Sequence, residues 1–271
     1  MRSALFIPPF DDLADLRVLV DLAVAAEDAG WDGFFLWDHI RWREPVVDVA
    51  DPWIALTAVA VATERIRIGP MITPLARRRP AKVVRETVTL DHLSGGRLTL
   101  GAGLASDSFG AELSITGEEL DDRVRAEMLD ESLSIITRAW TGERVAHRGK
   151  HYTVDSMSFL PRPVQRPGVP VWIAGFPGNV RPMRRAARHD GFCTVNLPHH
   201  DAVAEMAEQL VGMRADEGRS DDAFDLAVAL DVGTDPRPYE KAGATWWLVG
   251  FSPSGTSAEQ VRAVIQDGPA T

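Results

Sequence analysis

The pair Asp38-His39 follows the apolar run Gly33-Phe34-Phe35-Leu36-Trp37 and offers the most direct acid–base chemistry in this chain. An imidazole changes charge near neutrality and suits proton transfer, and the adjacent carboxylate can orient a ligand or bias the local field. The plainer alternative is a surface loop in which the histidine only caps the next segment. Further on, Thr73 stands ready to donate a hydrogen bond. Arg77-Arg78-Arg79 could meet an anion, although charge runs usually form solvated faces. Gly101-Ala102-Gly103-Leu104-Ala105-Ser106 has the small residues that let a flat ligand approach a backbone, or that tight packing needs. Ala174-Gly175-Phe176-Pro177-Gly178-Asn179 precedes a helix opening near Pro182, so its amides could face a phosphate; it could equally be an ordinary loop. No metal-ligand set is expected: His199 and His200 are sequence neighbours and should not face one ion, and HExxH, CxxC and GxSxG are absent.

The elements that must carry these residues repeat eight times. Short apolar runs at Ala4–Ile7, Gly33–Trp37, Ile66–Gly69, Arg97–Gly101, Val171–Gly175, Phe192–Val195, Asp225–Leu230 and Thr245–Val249 each precede a segment with helical spacing. Apolarity on both faces suits parallel strands, and each parallel step needs a crossover helix. Eight such steps predict an α/β fold, the (β/α)8 or TIM barrel, whose catalytic groups sit on the loops after the strands. Helices are predicted at Pro52–Glu64 with Asp51 as N-cap, from Pro80 to the Gly95-Gly96 pair, and at 121–140, 201–218 and 256–267. Residues 143–170 break the rhythm. They are read as an excursion between helix four and strand five, with a hairpin over Arg144–Val154, lying over the barrel mouth or its flank. The seventh unit is short. Trp246-Trp247 are read as core, one ring inside the barrel and the other beneath the outer helices. No linker interrupts the pattern, so residues 1–271 are read as one domain.

The 271 residues carry 29 basic and 39 acidic side chains, a net charge of −10. That balance argues against nucleic acid and anionic membranes as partners, while leaving room for an anionic cofactor in a locally basic site. Cys193 is the single cysteine, which points to a reducing cytoplasm. The opening residues lack a signal-peptide core, and no apolar stretch approaches the roughly 18 residues a membrane span needs.

Three segments carry a resemblance: Glu27–His39, Thr63–Pro80, and Leu90-Asp91-His92-Leu93-Ser94-Gly95-Gly96-Arg97 with its continuation to Gly103. Pro170–Gly175 and Arg185–Gly191 extend it over nearly the whole chain. Together they resemble the bacterial luciferase-like monooxygenase superfamily, the LDxLSGGR run being the most specific part. The resemblance implies a flavin-type cofactor at the carboxyl ends of the strands, either coenzyme F420, which is favoured, or FMN. By the same resemblance, Asp38 and His39 lie beside the cofactor ring, and Thr73, Leu104 and Ala105 hold it. Gly175 and Gly178 take the phosphate, and a non-proline cis peptide falls within Pro70–Thr73. His39 is the expected acid or base, and Trp37, Trp42, Phe109 and Phe251 are candidates for an apolar substrate wall.

One departure concerns substrate. Deazaflavin sugar-phosphate dehydrogenases of this superfamily carry a glutamate where this chain has Ser106. The function expected is hydride transfer or monooxygenation on a small organic substrate by a cytoplasmic homodimer, with a flavin or F420 reductase as a partner in trans. The alternatives are an FMN-dependent monooxygenase needing such a reductase, and a noncatalytic flavin-binding barrel or subunit.

Overall fold

The computed structural model describes residues 1–197 and 199–269. Its strands are β1 (Arg2–Ile7), β2 (Gly33–Leu36), β3 (Arg67–Pro70), β4 (Thr73–Pro74), β5 (Leu100–Gly103), β6 (Arg144–Arg148), β7 (Thr153–Ser158), β8 (Val171–Gly175), β9 (Gly191–Thr194), β10 (Asp225–Asp231) and β11 (Trp246–Gly250). Helices α1 (Leu16–Asp28), α2 (Pro52–Ala62), α3 (Pro80–Leu93), α4 (Glu112–Thr116), α5 (Asp122–Trp140), α6 (Val180–Ala186), α7 (Asp201–Asp216), α8 (Arg237–Lys241) and α9 (Ala258–Asp267) lie between and after them. Nine strands pair in parallel in the order β3-β2-β1-β11-β10-β9-β8-β5-β4. β3 and β4 occupy one barrel position, split at Met71-Ile72, where the peptide is cis, inside the segment expected to hold such a bond. A parallel bridge from Ile68 to Leu98 completes the ring. The fold is the eight-position (β/α)8 barrel.

Inside it, Phe35, Met71, Trp172, Trp246 and Leu248 pack as one cluster, with Trp172 and Trp246 rings 5.4 Å apart. Trp247 turns outward and meets Trp31 at 6.0 Å, so the two adjacent tryptophans divide between the two layers as alternation requires. Gly69 and Gly101 let strands approach closely: a Cβ at Gly101 would lie 2.7 Å from the Pro70 carbonyl oxygen, and one at Gly69 would lie 2.1 Å from that of Thr99.

The predicted caps are present, since Asp51 accepts from the Ile54 amide at 2.9 Å with Pro52 in the first turn of α2. That helix ends at Ala62 rather than Glu64, because Thr63 is extended and the Glu27 carboxylate draws in the amides of Glu64, Arg65 and Ile66. The LDxLSGGR run has a structural task. Buried Asp91 accepts from the amides of Val164 and Gln165 and from Gln165 Nε2, tying the excursion to α3. Arg97 donates to four carbonyls, those of Ala60, Thr63, Ile66 and Ser94. The excursion lies along the flank: its β6–β7 hairpin docks on α5, where Glu131 accepts from His147 and from the His151 and Tyr152 amides.

Candidate active site

The loop after β2 turns Asp38 inward and His39 toward the barrel mouth. Asp38 is 1% exposed. Its carboxylate accepts from Trp53 Nε1 at 3.0 Å, Thr73 Oγ1 at 2.8 Å, Arg77 Nη2 at 2.9 Å and Arg78 Nη2 at 3.2 Å. A carboxylate offers about four lone-pair sites, so this one is saturated by the protein. Arg77 and Arg78 therefore belong neither to a solvated face nor to a free anion site. Arg77 also stands 3.0 Å from Glu112 Oε2, and Arg78 is 3.7 Å from Glu86. A buried charge needs such pairing, and these loops supply it from within.

Glu112 joins this site without having been marked by the sequence. It is 1% exposed at the start of α4, with Oε1 3.1 Å from His39 Nδ1 and Oε2 accepting from the Ile40 amide at 3.0 Å. Burial works to raise its pKa, but the bonds from His39 and the Ile40 amide, with the charge of Arg77, outweigh it and hold the pKa below the usual glutamate value. Nothing in the spacing marks this residue. α4 has five residues, follows a left-handed Ala111 (φ 52°), and comes well after the strand that delivers it. The faint signal was one acidic residue in Ala111-Glu112-Leu113.

Around His39 the wall is aromatic. Its ring meets Trp42 edge-on at 4.8 Å, and Trp42 stacks on Phe109 at 5.2 Å with an interplanar angle of 4°. Trp37 lies between Phe6 (5.3 Å) and Phe10 (6.1 Å). These surfaces open on a cavity of about 790 Å³ at the carboxyl ends of the strands, also lined by Asp38, Leu104, Ala105, Gly175 and Phe251. The four wall candidates, Trp37, Trp42, Phe109 and Phe251, all border it. Thr73 is fully buried beneath the cavity and spends its hydroxyl on Asp38.

The opposite wall is built of small residues. Gly103, Ala105, Ala174 and Gly175 face the cavity, with Ala105 left-handed (φ 65°). Arg125 Nε donates to the Leu104 carbonyl at 3.2 Å, pinning this strand end from α5. Ser106 Oγ accepts from the Ser108 amide at 3.3 Å. Gly175 is required by packing, since a Cβ there would lie 2.7 Å from Pro182 Cβ and 2.8 Å from Phe192. Gly178 (φ 80°) precedes α6 and has open space around it; its neighbours Phe176 and Asn179 line the cavity. α6 opens at Val180, two residues before the expected Pro182. Elsewhere, His199, His200 and Asp201 do bring ligand atoms within 4.8 Å of one another, contrary to the expectation for adjacent histidines, but all three are exposed.

A flat cofactor fits these features. The small-residue wall leaves room for a planar ring, and α6 starts beside the cavity just after the turn at Gly178.

The luciferase-like monooxygenase profile matches residues 1–252. The chain belongs to this family. It is 32% identical to an F420-dependent glucose-6-phosphate dehydrogenase of Amycolatopsis mediterranei over 92% of this chain and 73% of that one. A protein of the same description from Nakamurella multipartita is 34% identical over 66% of this chain, which spans about half (52%) of that relative's length. Among solved structures, an F420-dependent secondary alcohol dehydrogenase in complex with an F420-acetone adduct superposes with a TM-score of 0.83 at 17% identity, covering 99% of this chain and 98% of the other. That likeness confirms the barrel. Family membership makes the chain an oxidoreductase. No helix among the described residues is long and apolar enough to cross a membrane.

Proposed function

We propose that this family member, one domain over residues 1–271, is a coenzyme F420-dependent oxidoreductase that moves hydride to or from an uncharged, largely apolar substrate. The observation that carries the reading is His39 on the cavity wall, backed by a buried carboxylate and facing a small-residue surface. When bound, the cofactor supplies the hydride chemistry, and the protein supplies orientation and proton handling. His39 is the catalytic acid or base. Asp38 and Thr73 hold the ring's bed from below, Leu104 and Ala105 form its rest, and Gly175 and Gly178 shape the loop that presents α6 to a phosphate.

Charge supports the substrate class. The basic residues among the described lining are His39, Arg43 and Arg185. Arg185 is held by Asp130 through two bonds of 2.6 and 2.8 Å, and Arg43 is exposed at the rim. A sugar phosphate finds little to neutralise it there, whereas the Trp37, Trp42 and Phe109 surface favours an apolar body.

A homodimer in the cytoplasm is part of this reading. Ile54, Thr57, Ala58 and Val61 recur at helical spacing on the outer side of α2, with Ile54 and Val61 61% and 71% exposed. A separate F420 reductase would regenerate the cofactor.

The test is titration of the purified protein with F420 and with FMN, followed by absorbance and fluorescence. F420 should bind more tightly. Micromolar FMN binding with no measurable F420 binding would overturn the proposal in favour of a reductase-fed FMN monooxygenase.

A further inference from the structure

We infer that Glu112 is a positioning residue that sets the tautomer of His39. The inference rests on the proposed function in one respect only, that His39 exchanges the proton. Glu112 Oε2 takes the Ile40 amide at 3.0 Å and stands 3.0 Å from Arg77 Nη1, leaving Oε1 to face His39 Nδ1 at 3.1 Å. The carboxylate is ionised, held there by His39, Ile40 and Arg77 against the effect of burial. An ionised carboxylate only accepts, so neutral His39 must carry its proton on Nδ1. Nε2 is then the bare nitrogen. It can take a proton from a substrate hydroxyl as hydride departs, or as imidazolium return one to a carbonyl as hydride arrives. In both directions the ring gains or loses a single proton while Glu112 keeps its charge.

The groups around the ring make this arrangement stiff. Trp42 meets it edge-on at 4.8 Å and Phe10 at 6.3 Å. The charged neighbours are Glu112 from α4, Arg77 from the turn after β4, and Asp38 with Arg78 one residue behind. Arg77 bridges the two carboxylates, so Glu112 cannot rotate away without leaving an arginine buried beside an empty place. An oriented carboxylate behind an imidazole fixes which ring nitrogen is protonated and stabilises the cation when it forms.

Glutamine at position 112 gives a sharp test because it has one carbonyl oxygen where glutamate has two acceptors. The Ile40 amide donates to that oxygen on one side, where the Arg77 cation also stands 3.0 Å away, and His39 alone faces the other. The amide NH₂ of Glu112→Gln should therefore turn toward His39 Nδ1, making it an acceptor and moving the ring proton to Nε2. Imidazole ¹⁵N spectra of the whole protein report tautomers directly, and the His39 signals among the seven histidines are identified by their loss in His39→Gln. The wild type should show the Nδ1–H form and Glu112→Gln the Nε2–H form, with the other histidines unmoved.

A wild-type His39 in the Nε2–H form would sink the inference without any variant, which covers the case in which Glu112→Gln fails to fold. An unchanged tautomer in folded Glu112→Gln would do the same and leave Glu112 as a staple for Arg77. F420 titration of the same samples keeps the two readings apart. Absent F420 binding refutes the cofactor proposal while the tautomer result stands, and normal binding beside an unaltered tautomer refutes only the role of Glu112.

Discussion

Replacing Asp38 by alanine tests whether this residue serves the fold before it serves a ligand. The substitution leaves four donors without their acceptor: Trp53 Nε1, Thr73 Oγ1 and the guanidinium groups of Arg77 and Arg78. The Arg77 side chain is 7% exposed and keeps Glu112; Arg78 is 19% exposed and keeps the longer contact to Glu86. Breaking a buried pair by removing one partner costs about 3–5 kcal/mol. Each orphaned neutral donor adds about 1–3 kcal/mol, which solvent entry and the surviving partners temper. Taking about 3–5 kcal/mol overall, and about 2–4 °C per kcal/mol for a domain approaching this size, the melting temperature should fall by roughly 6–20 °C. Circular dichroism melts without cofactor measure this directly. Asp38→Asn, which keeps the shape and one acceptor, should lose less. A melt of Asp38→Ala within about 2 °C of wild type, less than even 1 kcal/mol predicts, would refute the reasoning and return Asp38 to a purely ligand-binding role.

The same geometry sets further expectations. His39→Ala should bind F420 as wild type does but turn over about 100- to 10,000-fold more slowly, the usual contribution of a positioned proton donor, in single-turnover assays on an alcohol or carbonyl substrate found by screening. His189 is pushed down to about 4, mainly by burial, with Asp190 opposing and Arg188, Arg219 and Arg185 reinforcing the shift. Its folded value lies below the ordinary 6.5, so its contribution to stability is complete above pH 6.5 and is lost as pH falls through about 4. Melts of His189→Gln across that window should be flatter than those of wild type. Equal slopes would remove His189 as the cause of acid sensitivity.

The barrel was legible because its signals are local. Each strand is a short apolar run, and caps such as Asp51 act within three residues. The split of the third strand at Met71-Ile72 had no such local mark and came from the resemblance. At the site, the Asp38-His39 pair was readable because it adjoins its strand. What could not be read is pairing across loops: Arg77 and Arg78 looked like a surface charge run, yet both meet a carboxylate about 40 positions earlier in sequence. Glu112 meets His39 from 73 residues away. Long-range charge pairing leaves no periodicity, and a five-residue helix is too short to show one.

That same charge cluster divides the mouth for anyone wishing to redesign it. The loops after β2 and β4 and the start of α4 are locked to one another through Asp38, Arg77 and Glu112, so changes there reach the folding energy. The segments after β10 and β11 also face the cavity, through Asp231 at the end of β10 and through Thr234, Ser252 and Pro253, yet their side-chain hydrogen bonds among the described residues reach no further than Arg237 at the start of α8 or stay within residues 252–256. A mutant library confined to these two segments can diversify the chamber's outline while the half that carries His39 is inherited unchanged, whereas one spread over residues 38–43 and 107–113 would disturb the buried Asp38–Arg77–Glu112 pairing.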